Sequence, residues 1–148
     1  MGLPRILGLD LGTATLGMAV SDSLGFAAHG VETFRFEPGN YKKARERVME
    51  FLAKENINEI ALGLPLHMSG DASERSESCI RFKNDLLAIM PNLKITMIDE
   101  RMTTMLANKR LLEADISRAK RKAVIDQMSA VAILETYLGM RRNTNGIH

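Results

Sequence analysis

What this sequence has little of narrows it first. It holds one cysteine, Cys79, so no internal disulfide can form, and a reducing compartment suits it. Its three histidines, His29, His67 and His148, are scattered without zinc-ligand spacing, so any metal would be a hard ion held by carboxylates. Tryptophan is absent and the aromatics are five Phe and two Tyr, too few for a platform that stacks unpaired bases. No apolar run approaches membrane-spanning length, and the N-terminus lacks the basic, apolar and small-residue order of a signal peptide. A cytoplasmic protein without membrane association is therefore expected. Internal repeats, linkers and low-complexity tracts are missing as well.

What is present is the composition of a globular domain: 148 residues, 45% apolar and 26% charged. The reading is one domain over residues 1–140, with a polar tail at 141–148 that frays. The net charge is only +2, but its distribution is uneven. Between Arg101 and Lys122 stand Arg101, Lys109, Arg110, Arg118, Lys120, Arg121 and Lys122, against Glu113 and Asp115 alone. A basic stripe of this kind suits a polyanionic partner.

The chain is organised around residues 5–22. A short apolar run carries Asp10 at its end, a turn of small and hydroxyl residues follows, and a second apolar run ends at Ser21 and Asp22. Two strands joined by a tight turn fit this pattern. Ile6, Leu7, Leu9 and Leu11 suit a strand buried on both faces, where a carboxylate is costly unless something pairs with it. A divalent cation is one remedy, and a turn in which Asp10 caps its own backbone is the other. Gly8, Gly12 and Gly17 would let a phosphate or another backbone come close.

Residues 27–34 complete an antiparallel meander. Asn40 then stands as the N-cap of a helix whose inner face is Ala44, Val48, Phe51 and Leu52. Residues 60–64 form a buried strand stopped by Pro65, and 65–73 a loop. Cys79, Phe82, Leu86 and Ile89 mark a second helix, and Ile95, Met97 and Ile98 a fifth strand that runs into Asp99 and Glu100. Helical stretches at about 103–114 and 120–139 close the chain. The expected architecture is α/β: a five-stranded mixed sheet, three antiparallel strands and then two parallel ones, with helices on both faces.

Three acids sit at element ends that open onto one crevice in such a sheet: Asp10, Asp99-Glu100, and Asp126 near the apolar face of the last helix. Carboxylates gathered in this way repel one another and call for cations. Two Mg²⁺ (or Mn²⁺) ions held about 3.5–4 Å apart would clamp a phosphodiester and activate a water. Singly, each acid has a bland reading as a cap, a strand-end solvation group or a helix-surface ion pair. The run Arg118, Lys120, Arg121 and Lys122 falls at the start of the last helix, where positive charge opposes the macrodipole, so a phosphate backbone explains it better than stability does. Arg101, Thr103 and Thr104 complete the candidate nucleic-acid contacts.

Read together, Gly8-Leu-Asp10-Leu-Gly12 with Ala19-Val-Ser-Asp22, Gly63-Leu-Pro65-Leu with Gly70, Asp99-Glu-Arg-Met-Thr-Thr104, and Lys122-Ala-Val-Ile-Asp126 with Ala130 resemble the RuvX (YqgF) family. Its members are described as pre-16S rRNA nucleases or Holliday junction resolvase-like proteins, and the resemblance runs from Ile6 to about Leu138. It implies a ribonuclease H-like fold and divalent-metal hydrolysis of nucleic-acid phosphodiesters. It also implies that Asp10, Glu100 and Asp126 are both the catalytic acids and the metal ligands, with Asp99 or Asp22 as a fourth. Glu100 is preferred to Asp99 for its longer reach. Pre-rRNA is the expected partner, with branched DNA and ribosomal particles as further partners, and the protein is expected to be a monomer or homodimer. A DNA resolvase and a catalytically weak assembly factor are the alternatives. An actin-like ATPase, suggested by Leu9-Asp-Leu-Gly-Thr13, needs two such domains, and this chain has room for one.

Overall fold

The computed structural model describes the backbone of residues 4–103 and 118–146, and the side chains of 4–103 and 127–142. Strands β1 (Leu7–Leu11), β2 (Thr15–Ser21) and β3 (Ala28–Arg35) form the antiparallel meander. Helix α1 (Tyr41–Glu55) crosses over to β4 (Glu59–Leu64), which pairs parallel to β1. Helix α2 (Glu74–Ile89) crosses over to β5 (Lys94–Asp99), parallel to β4. The sheet order is β3-β2-β1-β4-β5. A 3-10 turn follows at Glu100–Met102, and α3 covers Arg118–Gly146. The mixed sheet of the sequence reading is thus present, with helices on both faces.

Strand alternation assigns the faces. Leu7, Leu9, Leu11, Ile60 and Leu62 pack with Ala44, Val48, Phe51 and Leu52 of α1 and Cys79, Phe82 and Leu86 of α2 in one fully buried core. The opposite face is made of small residues. Gly30, Ala19, Gly8 and Ala61 lie in register across four strands, and α3 descends onto that row. A Cβ on Gly8 would stand 2.7 Å from Leu134 Cβ and 2.9 Å from the Ala130 carbonyl, so Gly8 admits a helix backbone. Ala130, Ile133, Leu134, Tyr137 and Leu138, at helical spacing, close this second core against Ile6, Ala61 and Ile98.

Three details depart from the sequence reading. Asn40 occupies the N-cap of α1, but its side chain makes no capping bond. Ile89, the last residue of α2, is exposed, although Cys79, Phe82 and Leu86 are buried as expected. Thr103 ends the 3-10 turn with extended backbone, and the rest of the expected helix at 103–114 lies outside the described residues. Finally, α3 runs on to Gly146 where a tail was expected. Arg141 lies over the Tyr137 ring and near Glu59, and Arg142 donates to the Phe26 carbonyl, so the polar end is tied to the sheet.

Candidate active site

Asp10 lies one residue from the end of β1, on the α3 face with Ile6 and Gly8. Its side chain is 18% exposed, a low value for a carboxylate. It does not cap a turn: its cationic partner is Arg75, whose Nη2 stands 3.7 Å from Oδ1 and donates to the Leu11 carbonyl at 3.1 Å.

Glu100 reaches the same place from β5. Continuing the parallel register of Leu9 with Leu62 by one residue sets Asp10 level with Gly63 on the adjacent strand, and Gly63 pairs in turn with Ile98. Adjacent strands lie about 4.8 Å apart. A Cβ on Gly63 would fall 2.9 Å from Glu100 Oε1, so the carboxylate lies directly over this glycine, on the strand next to that of Asp10. The missing side chain on β4 is what lets an acid from β5 approach β1.

The two acids of the Asp99-Glu100 pair are separated by local structure. Asp99 ends β5 and caps the 3-10 turn by accepting from the Arg101 amide at 3.0 Å. The Arg101 guanidinium forks onto both of its oxygens, at 3.0 and 2.6 Å. That charged hydrogen bond is the largest cause holding the Asp99 carboxyl below the ordinary carboxylate range. Arg101 also donates to the Met68 carbonyl at 3.2 Å and packs on Gly70, whose φ of +94° favours glycine, so it fastens the loop after β4 to the turn that carries Glu100. Thr103 donates its hydroxyl to the Glu100 carbonyl at 2.9 Å and steadies the same turn.

Asp22 is not brought to this cluster. It follows β2, which runs antiparallel to β1, and so lies roughly 16 Å from Asp10 along the strand direction. There it accepts from the Phe26 amide at 3.1 Å. Desolvation, the largest single influence, would raise its pKa, but the amides of Phe26, Ala27, Gly25 and Leu24 together lower it.

For position 126 the backbone alone is described. Ala130 and Leu134 lie over Gly8, and Leu138 packs with Ile6, so α3 runs antiparallel to β1. Position 126, one turn before Ala130, is thus on the part of the helix nearest the Asp10 end of the sheet. The side chains of Asp126, Arg118, Lys120, Arg121 and Lys122 lie outside the described residues, and so does the whole of Thr104.

Cys79 of α2 is buried beneath the cluster. Desolvation pushes its thiol up to about 12; the Arg75 charge opposes this, while those of Glu100 and Asp10 add to it. Burial of this kind leaves the thiol inert.

Among the described residues no three His, Cys, Asp or Glu side chains gather as a metal site. The carboxylates of Asp10, on β1, and Glu100, over the adjacent Gly63 of β4, are hard oxygen donors, and such donors fit Mg²⁺ or Mn²⁺.

Residues 4–140 match the family described as RuvX: Holliday junction resolvase. The chain belongs to the RuvX family. A relative from Staphylococcus carnosus (strain TM300), named "Putative pre-16S rRNA nuclease", is 42% identical over 134 residues, which cover 90% of this chain and 94% of that protein. A relative of the same name from Staphylococcus aureus (strain JH9) matches to the same extent. Among solved structures, Thermus thermophilus RuvC in complex with a Holliday junction substrate aligns with a TM-score of 0.56 at 13% identity. The alignment covers 94% of this chain and 96% of that one, so the RuvX fold here is that of RuvC. Two features of the candidate site were not assigned a role from the sequence. One is Arg75, although a cation in the first turn of α2 opposes the helix dipole just as Arg118 does. The other is the role of Gly63, which the sequence places in the strand 60–64 and in the quoted motif without showing that Glu100 lies over it.

Proposed function

We propose that this protein is a nuclease that hydrolyses nucleic-acid phosphodiester bonds with a divalent metal, and that it processes the 5′ end of pre-16S rRNA during ribosome biogenesis. The observation that carries the reading is Glu100 lying over Gly63, the β4 position level with Asp10 when the Leu9–Leu62 register is continued, at the C-terminal ends of parallel strands, where α/β sheets place their ligands. Membership of RuvX and the names of its relatives supply the substrate class.

In this reading Asp10, Glu100 and Asp126 hold Mg²⁺ or Mn²⁺, with no fourth ligand from Asp22. The bound ion supplies Lewis-acid stabilisation of the charge on the phosphoryl oxygens and lowers the pKa of an attacking water. The chain's own groups do the rest. Gly63 keeps the space between β1 and β5 open, Arg101 with Asp99 holds the turn that aims Glu100, and the strand environment of Asp10 leaves its carboxylate only partly in contact with water. The basic residues Arg118, Lys120, Arg121 and Lys122 bind the phosphate backbone without reading sequence.

The test is cleavage of a pre-16S rRNA 5′ fragment by wild type and Asp10→Asn, in Mg²⁺, Mn²⁺ or chelator. Metal-dependent cleavage that falls by at least about 10³-fold in Asp10→Asn is expected, since the change removes a ligand and a charge together. Cleavage that persists in chelator would overturn the reading. A four-way DNA junction belongs in the same assay, because the RuvX family carries the description of a Holliday junction resolvase.

A further inference from the structure

The geometry points to Arg75 as a substrate-contacting residue that binds the nucleic-acid phosphate lying next to Asp10. This rests on the nuclease reading and adds to it a cation from α2.

The first turn of α2 argues against a purely structural role. Glu74 and Glu77 suit the positive end of the helix dipole, and Arg75 between them does not. Ser73 and Ser76 already satisfy that end through a reciprocal capping box, so the helix has no need of Arg75. The guanidinium instead extends to the end of β1, where one nitrogen serves both the Leu11 carbonyl and Asp10. Its contact with Asp10, at 3.7 Å, is too long for a fork-to-fork pair. The side chain is 51% exposed against 18% for Asp10, so the cation is the more solvent-accessible partner of the pair. Guanidinium has five donors in a planar fork that matches phosphate, and two of the contacts described use a single nitrogen.

An open depression adjoins Arg75, lined by Pro65, Leu66, His67, Ser73 and Glu74. It gives a nucleic-acid strand a path over the loop after β4 to the Asp10 end of the sheet. A polyanion approaching two carboxylates meets repulsion there, and Arg75 is the described cation that offsets it at the point of contact.

The experiment measures binding with Ca²⁺ in place of Mg²⁺, on the pre-16S rRNA 5′ fragment and the four-way junction, across a salt series. The proteins are wild type, Arg75→Gln, Arg75→Lys and Arg81→Gln, an exposed cation elsewhere on α2. Arg75→Gln should weaken binding by about tenfold and flatten the slope of log K against log salt by roughly 0.7–0.9, the share of one phosphate contact. Arg75→Lys should restore the slope and part of the affinity, and Arg81→Gln should match wild type. In cleavage assays the Arg75→Gln loss should fall mainly on KM. An unchanged salt slope in Arg75→Gln, or an equal change in Arg81→Gln, would overturn the assignment while leaving the nuclease reading standing. Wild type that neither binds nor cleaves either nucleic acid would overturn both.

Discussion

Two glycines on one sheet face show how a single missing side chain can serve either stability or chemistry. A Cβ at Gly8 would meet the Ala130 carbonyl and Leu134 Cβ, parts of a packed helix that cannot step aside. Gly8→Ala should therefore cost about 1–3 kcal/mol, read as a lower urea midpoint with unchanged m. A Cβ at Gly63 would meet Ile133 Cδ1 at 2.6 Å and Glu100 Oε1 at 2.9 Å, the far ends of flexible side chains. Here the fold can adjust and the acid moves, so Gly63→Ala should lose no more than about 1.5 kcal/mol. Its kcat should nevertheless fall by tenfold or more, since a displacement of about 1 Å can cost on the order of 10²-fold. Equal losses of stability in the two variants would contradict this division. The Asp99 carboxyl gives a second residue-scale expectation. Its folded pKa lies below the unfolded value of 3.8, so the Arg101 pair stabilises the fold above about pH 4. That contribution is lost as pH falls through the depressed pKa. The stability gap between wild type and Arg101→Gln, measured by denaturation from pH 7 to pH 2, should accordingly close at the acid end.

At the scale of elements, α2 is the part whose start matters most. The Ser73 hydroxyl accepts from the Ser76 amide at 3.0 Å and also donates to the Pro65 carbonyl, joining the loop after β4 to the helix. Ser73→Ala should cost about 1 kcal/mol, the usual value of an N-cap. Because Arg75 rides on the same turn, the variant should also weaken nucleic-acid binding beyond what the stability loss explains. Ser73→Asp, which keeps an acceptor at the cap, should recover most of the stability in the same denaturation experiment. Helix α3 plays the complementary part. Its middle turns are set by the row of small residues across the sheet, and its last turns are tied down by Tyr137 with Glu59 and by Arg142 with Phe26.

For the whole molecule, two cores on either side of one sheet hold the acids at a shared edge, so ligand binding and folding are linked. Mg²⁺ or Mn²⁺ at a hundred times its dissociation constant should stabilise the fold by about 2.7 kcal/mol. For a domain of this size that is a rise in Tm of roughly 5–10 °C. Chelator should abolish the rise, and Asp10→Asn should not show it. An equal rise in Asp10→Asn would place the ion elsewhere.

Much of this was legible in the chain itself. Helical spacing at Ala44, Val48, Phe51 and Leu52 and the break at Pro65 reflect local preferences, and local preferences survive folding here. Asp10 announced itself because a carboxylate in an apolar strand needs a partner wherever the strand ends up. The remainder was decided by neighbours distant in sequence. Arg75 meets Asp10 across the fold, Glu100 reaches over Gly63 only because β4 lies between β1 and β5, and Asp99 is taken by Arg101 through a turn that periodicity does not encode. The last turns of α3 likewise depend on Glu59 and Phe26, residues from the sheet and its loops. Pattern specifies which face of an element is apolar; strand order and register specify which side chains share a place, and the candidate site consists of such shared places.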